Sequence, residues 1–257
     1  MRTTVILNMK GGVAKTTTIV NMAAILARKH GKRVLVVDAD SQCNTTEFFG
    51  GDPSRGSLAD ALRAEEGGVD IAFGGITVTD FPGIDLLPAD PSLMDLDLTK
   101  VETNGVQPTV LRDLIRRLHQ NDRYDYCLVD CPPAFNAAST AALIAADDVI
   151  IPIKLDAFSL RGMACLIQQI SNMRKINPQL RLAGLLPTMW YKSADVQQAE
   201  AVLRTSNFSV FTHIRRSDKV DSMTFAQEPL LVTSPHCAAA VDYNRFVSEY
   251  IKGGPTK

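Results

Sequence analysis

The sequence predicts an α/β protein, a single doubly wound and mostly parallel sheet with helices on both faces. Three observations carry this reading. Short, continuous apolar runs alternate with segments of helical spacing from end to end, the pattern of strands buried on both faces. Of the 257 residues, 46% are hydrophobic, 21% charged and 6% aromatic, the balance of a chain with a full core. A loop rich in glycine and lysine joins the first apolar run directly to the first helical one, the context in which backbone amides and a helix N-terminus form an anion cradle.

The elements follow in order. Val5-Ile6-Leu7 is short and β-branched and predicts the first strand; Thr16 to Lys29, with Ile19, Ala23, Ile25 and Leu26 apolar, predicts the first helix. Val34-Leu35-Val36-Val37 predicts a second buried strand. The stretch 50–108 is rich in Gly, Asp and Pro and reads as a less regular insertion, with a short helix near Leu58–Glu65 and a strand at Asp85–Leu87. Further strands are expected at Tyr126–Val129, Val149–Ile153, Leu182–Leu186 and Val210–Ile214. Helices are expected between them at Val110–His119, Ser139–Ala145, Leu160–Ile176 and Ala194–Arg204, and a last one at Ala238–Ile251. With no repeat, low-complexity tract or linker, one domain over 1–257 is expected.

Several classes drop out. No apolar run approaches the ~18 residues of a membrane span, and Lys10 comes too early for the apolar core of a signal peptide. A cytoplasmic protein is expected. Five cysteines (Cys43, Cys127, Cys131, Cys165, Cys237) without a C-x-x-C pair, and four scattered histidines, predict reduced and mostly buried thiols with no zinc or iron–sulfur centre. The net charge of −1 is unevenly spread: residues 1–37 carry seven Lys/Arg and no acid, 38–102 three basic and fourteen acidic residues, 174–219 eight basic and three acidic. Such asymmetry marks either a polyanion-binding face or charges scattered over a solvated surface.

The chemistry is concentrated in the first forty residues and around Asp130. In Lys10-Gly11-Gly12-Val13-Ala14-Lys15-Thr16-Thr17, consecutive amides would surround phosphate, Lys15 would reach the outer phosphates and the Thr16 hydroxyl would ligate Mg²⁺. Ala14 fills the last glycine position of G-x-x-x-x-G-K-[ST], which predicts a negative φ with its methyl turned from the phosphates. Asp38 and Asp40 end a buried strand, at the edge where open α/β sheets bind ligands, and alternate with Ala39 so that both carboxylates would face one side; Asp38 is expected with Thr16 and Asp130 around the Mg²⁺. Asp130 ends another apolar strand ahead of Pro132-Pro133, and a carboxylate there can hold a water on Mg²⁺.

The added Lys10 before the double glycine, the run Val34–Asp40 with Gln42 and Asn44 behind it, and Tyr124–Pro133 together resemble the deviant P-loop ATPases of the ParA/MinD family, over nearly the whole chain. The resemblance implies ATP and Mg²⁺ as cofactors, Lys10 reaching across a homodimer to the partner's nucleotide, Asp40 orienting the attacking water, and a γ-phosphate-sensing segment after Asp130. It places the base near Thr188 and Ile214-Arg215-Arg216, where Arg215 stands in place of the proline common in the family. Within the family, a MinD-like membrane role depends on a C-terminal amphipathic helix, and Glu249–Lys257 reads instead as a helix stop and polar tail. A metal-cluster role needs paired cysteines that only Cys127 and Cys131 suggest. No helix-turn-helix precedes the loop, and the basic 174–219 region resembles that of short DNA-partition ATPases. The expectation is an ATP-bound homodimer, nucleoid-associated through non-specific double-stranded DNA, with Lys192, Arg204 and Lys219 as DNA contacts and a ParB-like centromere-binding adaptor as stimulator; the alternative is a MinD-like or other ATPase positioning a non-DNA cargo.

Overall fold

The computed structural model describes residues 1–96 and 106–255 of the chain. Part of the stretch 50–108 and the end of the polar tail therefore lie outside the described residues. In chain order the elements are β1 (Arg2–Ile6), α1 (Lys15–His30), β2 (Val34–Asp38), α2 (Asn44–Phe48), α3 (Leu58–Arg63), α4 (Gly68–Gly75), β3 (Thr77–Val78), β4 (Ile84–Leu87), α5 (Val110–Gln120), β5 (Tyr126–Asp130), α6 (Ala137–Ala145), β6 (Asp148–Lys154), α7 (Ala157–Met173), β7 (Arg181–Thr188), α8 (Ala194–Arg204), α9 (Lys219–Ala226), α10 (Leu230–Thr233) and α11 (Ala238–Ile251).

The seven strands form one sheet in the order β3-β4-β2-β5-β1-β6-β7, parallel throughout except for β3 against β4. Alternation along each strand divides the core between two faces, because successive side chains point to opposite sides. Val5, Leu35, Val37, Val129 and Ile151 pack on one face with α3 to α8, while Ile6, Val34, Val36, Leu128 and Ile150 pack on the other with α1, α2 and α9 to α11. α1 ends where Gly31 takes φ 60°, its N–H bonding Ala27 O at 3.1 Å and that of Lys32 bonding Leu26 O at 3.0 Å. Arg28, Lys29 and His30 complement the helix dipole there, which absorbs part of the basic excess of residues 1–37.

The predicted elements recur with boundary shifts of up to three residues, with one exception. Val210–Ile214 is not a strand: it touches β7 through a bridge at Leu185–Val210, with a second at Trp190–Arg215 just beyond its end. This apolar run covers the β7 edge without building a ladder. The 50–108 region is more regular than its composition suggests. α3 starts with a reciprocal Ser57/Asp60 capping box, and β4 is an inner strand beside β2. α2, α4, β3, α9 and α10 were not expected; all but α4 and α9 are five residues or shorter, too short to show a period. Of the cysteines only Cys127 and Cys131 are buried; Cys43 and Cys237 are half-buried and Cys165 is exposed, so the expectation of mostly buried thiols does not hold. Among the described residues no helix is long and apolar enough to cross a membrane.

Candidate nucleotide-binding site

Strand register assembles the site. β5 lies between β1 and β2, with Asp130 level with both Ile6 and Asp38, so the loop after β1 and the two strand-end aspartates meet at the carboxyl edge of the sheet. Connections leave β1 toward β2 on one side and reach β6 on the other, the reversal at which open α/β sheets bind ligands.

The loop is held from both ends. Asn8 donates to Pro152 O at 2.7 Å and accepts from Lys10 N at 3.0 Å, and the Thr188 hydroxyl donates to Val13 O at 3.1 Å. Gly12 has φ +65°, and a Cβ added at Gly11 or Gly12 would meet nothing within 4 Å, which leaves the cradle open to an incoming anion. Lys15 is only 7% exposed, and among the described residues no carboxylate lies within ion-pair distance of it. Its nearest polar contact is Lys10 O at 3.5 Å. A buried, unneutralised ammonium at a helix N-terminus is poised for phosphate.

Ala14 corrects an expectation: its φ is +66°, in the left-handed region, not negative. Its carbonyl accepts from the Thr18 amide at 3.0 Å and hydroxyl at 2.7 Å, which holds the methyl-bearing residue in a conformation that costs roughly 1–2 kcal/mol. Ala14→Gly should release that strain, less the ~0.4–1 kcal/mol by which glycine favours the unfolded chain. The expected outcome is a denaturation midpoint unchanged or raised, with ATP affinity altered less than about tenfold; a lowered midpoint would contradict the strain.

The three aspartates have different tasks. Asp130 Oδ2 accepts from the Thr16 and Thr45 hydroxyls, both at 2.6 Å, while its buried Oδ1 has no partner. That orphan acceptor beside the Thr16 hydroxyl suits a hydrated Mg²⁺, and the residues present fit the ion. Asp38 is fully buried, and both its oxygens are engaged: Oδ1 by Asp40 N at 3.0 Å, Oδ2 by the Thr46 amide and hydroxyl at 2.8 Å. Burial, then the Asp130 charge, pushes Asp38 up from the usual carboxylate range, and burial pushes up Asp130 as well. The geometry makes Asp38 a brace for the turn carrying Asp40. The Asp40 carboxylate accepts from Gln42 N at 3.0 Å and is 8% exposed.

Lys10 is folded onto its own subunit. Its ammonium lies 2.9 Å from both Asp156 oxygens and 2.9 Å from Ser159 Oγ. Despite partial burial, Lys10 and the Ser159 donors hold the Asp156 carboxyl down at about 2. Sequence reasoning missed Asp156, Ser159 and Thr45. An Asp three residues before a Ser, just after the apolar run of β6, is the helix-start signature that would have found the first two.

Beside the loop lies a cavity of about 410 Å³ lined by Ala14, Thr17, Lys154, Thr188, Ile214, Arg215 and Arg216 among others. The structure thus brings the predicted base-side residues together with the P-loop. It does not gather the three predicted DNA contacts. Lys192 and Lys219 are exposed near the cavity rim, one just ahead of α8 and one at the start of α9. Arg204 ends α8, about 16 Å of helix away from Lys192, and is bonded to Glu200 Oε1 at 3.0 and 2.8 Å and to the carbonyls of Val210 and Phe211. The Arg204 guanidinium braces α8 against the run that follows it.

Comparison with known proteins agrees with this geometry. A family model described as AAA domain matches residues 1–182. The chain is 33% identical over 257 residues to the chromosome partitioning protein ParA of Caulobacter vibrioides, covering 98% of this chain and 94% of that one. It is 40% identical over 203 residues to the chromosome-partitioning ATPase Soj of Thermus thermophilus, covering 77% and 73%. The chain belongs to the ParA/Soj family of P-loop ATPases. Its fold matches cobyrinic acid a,c-diamide synthase of Mycobacterium smegmatis, solved with a bound ATP analogue and magnesium, at TM-score 0.81 and 27% identity over 100% of this chain and 98% of that one. Family membership makes the chain an ATPase with ATP and Mg²⁺ as its cofactors.

Proposed function

We propose that the chain is a partition ATPase, which dimerises around ATP, binds DNA without sequence preference, and hydrolyses ATP when a ParB-like centromere-binding adaptor stimulates it, so as to segregate plasmid, mobile-element or chromosomal DNA. The observation that carries this is Lys10 on an otherwise complete phosphate cradle, a second lysine that its own nucleotide does not need. The names of the Caulobacter and Thermus relatives support the partition role.

In this reading the amides of Gly11, Gly12 and Val13, with Lys15 and Thr17, hold the phosphates, and Thr188, Arg215 and Arg216 border the base and ribose. Thr16 and Asp130 hold Mg²⁺, which when bound neutralises charge developing on the transferred phosphoryl group. Asp40 orients the attacking water by accepting its proton-side hydrogen bond. Lys10 exchanges Asp156 for the partner's nucleotide. The Lys10 and Asp156 side chains are 38% and 29% exposed, and so solvated a pair is worth only about 0–1 kcal/mol, so its release is cheap.

A monomer of net charge −1 has little attraction for DNA, and two copies double the available cations. DNA binding should therefore require ATP, ignore sequence and fall steeply between low and moderate salt, with a log–log slope of about −0.9 per phosphate neutralised. Lys192→Ala or Lys219→Ala should weaken binding uniformly and flatten the slope with ATP affinity unchanged. Arg204→Ala should act mainly on stability, given its intramolecular bonds. Filter binding across a salt series measures the DNA affinities and slopes, equilibrium ATP binding the nucleotide affinity, and thermal denaturation the Arg204→Ala effect. Binding equally tight without ATP, or insensitive to salt, would replace DNA by a non-DNA cargo.

A further inference from the structure

We infer that the ends of α1 and α11 form a second surface for duplex DNA, carried by Arg28, Lys29, Lys32 and Lys252, at the opposite edge of the sheet from the nucleotide. The inference rests on the partition reading above and adds DNA contacts remote from Lys192 and Lys219. α1 starts in the phosphate loop, and its 16 residues carry the chain about 24 Å to the amino edge of the sheet. The helix is buried over most of its length and emerges at Arg28, Lys29 and His30, with Lys32 half-buried just beyond. α11 ends nearby. In the sheet Tyr126 is level with both Val34 and Arg2. The Tyr250 ring meets that of Tyr126 at 6.4 Å between centroids, and Arg2 Cζ lies 4.5 Å from the Tyr250 centroid. Lys32 stands two residues ahead of Val34 and Lys252 two beyond Tyr250, so the two helix ends are about two strand spacings apart, ~10 Å.

Positive charge is in excess there. Asp122 and Asp125 are engaged by Arg33, Asp148 by Arg2 and Arg181, Asp147 by the Thr3 amide, and Glu249 by Thr212. Among the described residues no carboxylate lies within ion-pair distance of Arg28, Lys29, Lys32 or Lys252. The two helix dipoles present roughly half a negative charge each, which four cations exceed. Arg28, Lys29 and Lys32 are the part of the acid-free run 1–37 for which the phosphate loop has no use. The surface is also the wrong kind for a folded protein partner, whose contact would centre on aromatic and apolar groups. Of the large apolar side chains exposed among the described residues, none comes from α1, from residues 31–33 or from the second half of α11. Cations without apolar anchors suit a phosphate backbone, which is held by charge. Lying a helix length from the cradle, the surface stays open when Lys10 reaches a second copy, so each copy of the ATP dimer keeps one.

The test is filter binding of a random-sequence duplex to the full chain with ATP, across a salt series. A variant carrying Arg28→Gln, Lys29→Gln and Lys252→Gln together should bind more weakly and flatten the log–log slope by up to about 2.7, from 0.9 for each of three phosphates released. Its ATP affinity, and its dimer size by light scattering, should match wild type. Arg28→Lys alone should keep the wild-type slope, because the contact needs a charge and not a guanidinium. Lys252→Gln alone, past the last helical residue, should flatten the slope by up to about 0.9 with the helices intact. A triple variant with the wild-type slope, where Lys192→Ala with Lys219→Ala abolishes DNA binding, would overturn this surface and leave the partition reading standing. A triple variant that loses binding to poly-glutamate but keeps its DNA slope would overturn DNA as the occupant in favour of an acidic protein. Wild-type chain that binds no duplex with ATP at any salt removes the partition reading, and this surface with it.

Discussion

Lys15→Ala should abolish ATP binding, with the affinity falling more than about a hundredfold, while the fold survives. Lys15 is the one in-loop cation that reaches inward, and truncating one member of a desolvated charge pair costs roughly 2–5 kcal/mol. Among the described residues its ammonium has no carboxylate within ion-pair distance, and in the free protein it acts on the buried Asp130 carboxylate only through the longer-range attraction that favours its ionised form, so alanine breaks no direct pair. Lys10→Ala should behave differently. Its ammonium is spent on Asp156 and Ser159, away from its own cradle, so ATP binding should persist while the ATP-dependent dimer is lost. Equilibrium binding of a fluorescent ATP analogue and light scattering with ATP separate the two. If both variants bind and dimerise as wild type does, the division of labour between the lysines is wrong.

How much of this was legible in the sequence depends on where each signal is local. β1, the loop and α1 were readable because a strand, two glycines, a lysine and a helix follow one another with no tertiary partner needed. Asp38, Asp40 and Asp130 were placed at strand ends by the length of the apolar runs before them. Their differences were not readable, because they come from side-chain contacts outside the strands: Thr45 and Thr16, distant in sequence, occupy one Asp130 oxygen, and Thr46, eight residues on, closes off Asp38. Alternation put both carboxylates of Asp38 and Asp40 on one side, yet hydrogen bonding turned one into a brace. The strand expected at Val210–Ile214 failed for a related reason. An apolar β-branched run predicts burial, and these residues are largely buried, but whether a ladder forms depends on the neighbouring edge. Ala14 is the clearest case of tertiary override, a residue whose own preference is negative φ held at +66° between the cradle and α1. The charge runs pointed to basic surface without its geometry, and Arg204 shows why: an arginine counted as free in sequence is bonded within its own fold.

Asp40→Ala should bind ATP and dimerise, yet lose turnover by about a hundredfold or more, the usual cost of removing a group that orients or activates water. Of the three aspartates Asp40 is the least deeply buried, at 8% exposed against 0% for Asp38 and 1% for Asp130, and it keeps spare capacity. One oxygen accepts from Gln42 N, and the other has no protein donor among the described residues. Asp38 behind it is fully buried with both oxygens engaged, and Asp130 faces Thr16. The substitution should cost the fold little, since the lost acceptor leaves a single amide at a partly open turn, about 1 kcal/mol. Phosphate release under single-turnover conditions isolates the chemical step from exchange, and the variant should then persist on DNA as the ATP form, because the step that ends the dimer is missing. Normal turnover would mean that water is held by the backbone around Asp40 and not by its carboxylate. Asp38 could not take over without giving up the Thr46 and Asp40 amides that hold the turn in place, so Asp38→Asn in that background should lower thermal stability before it lowers the rate.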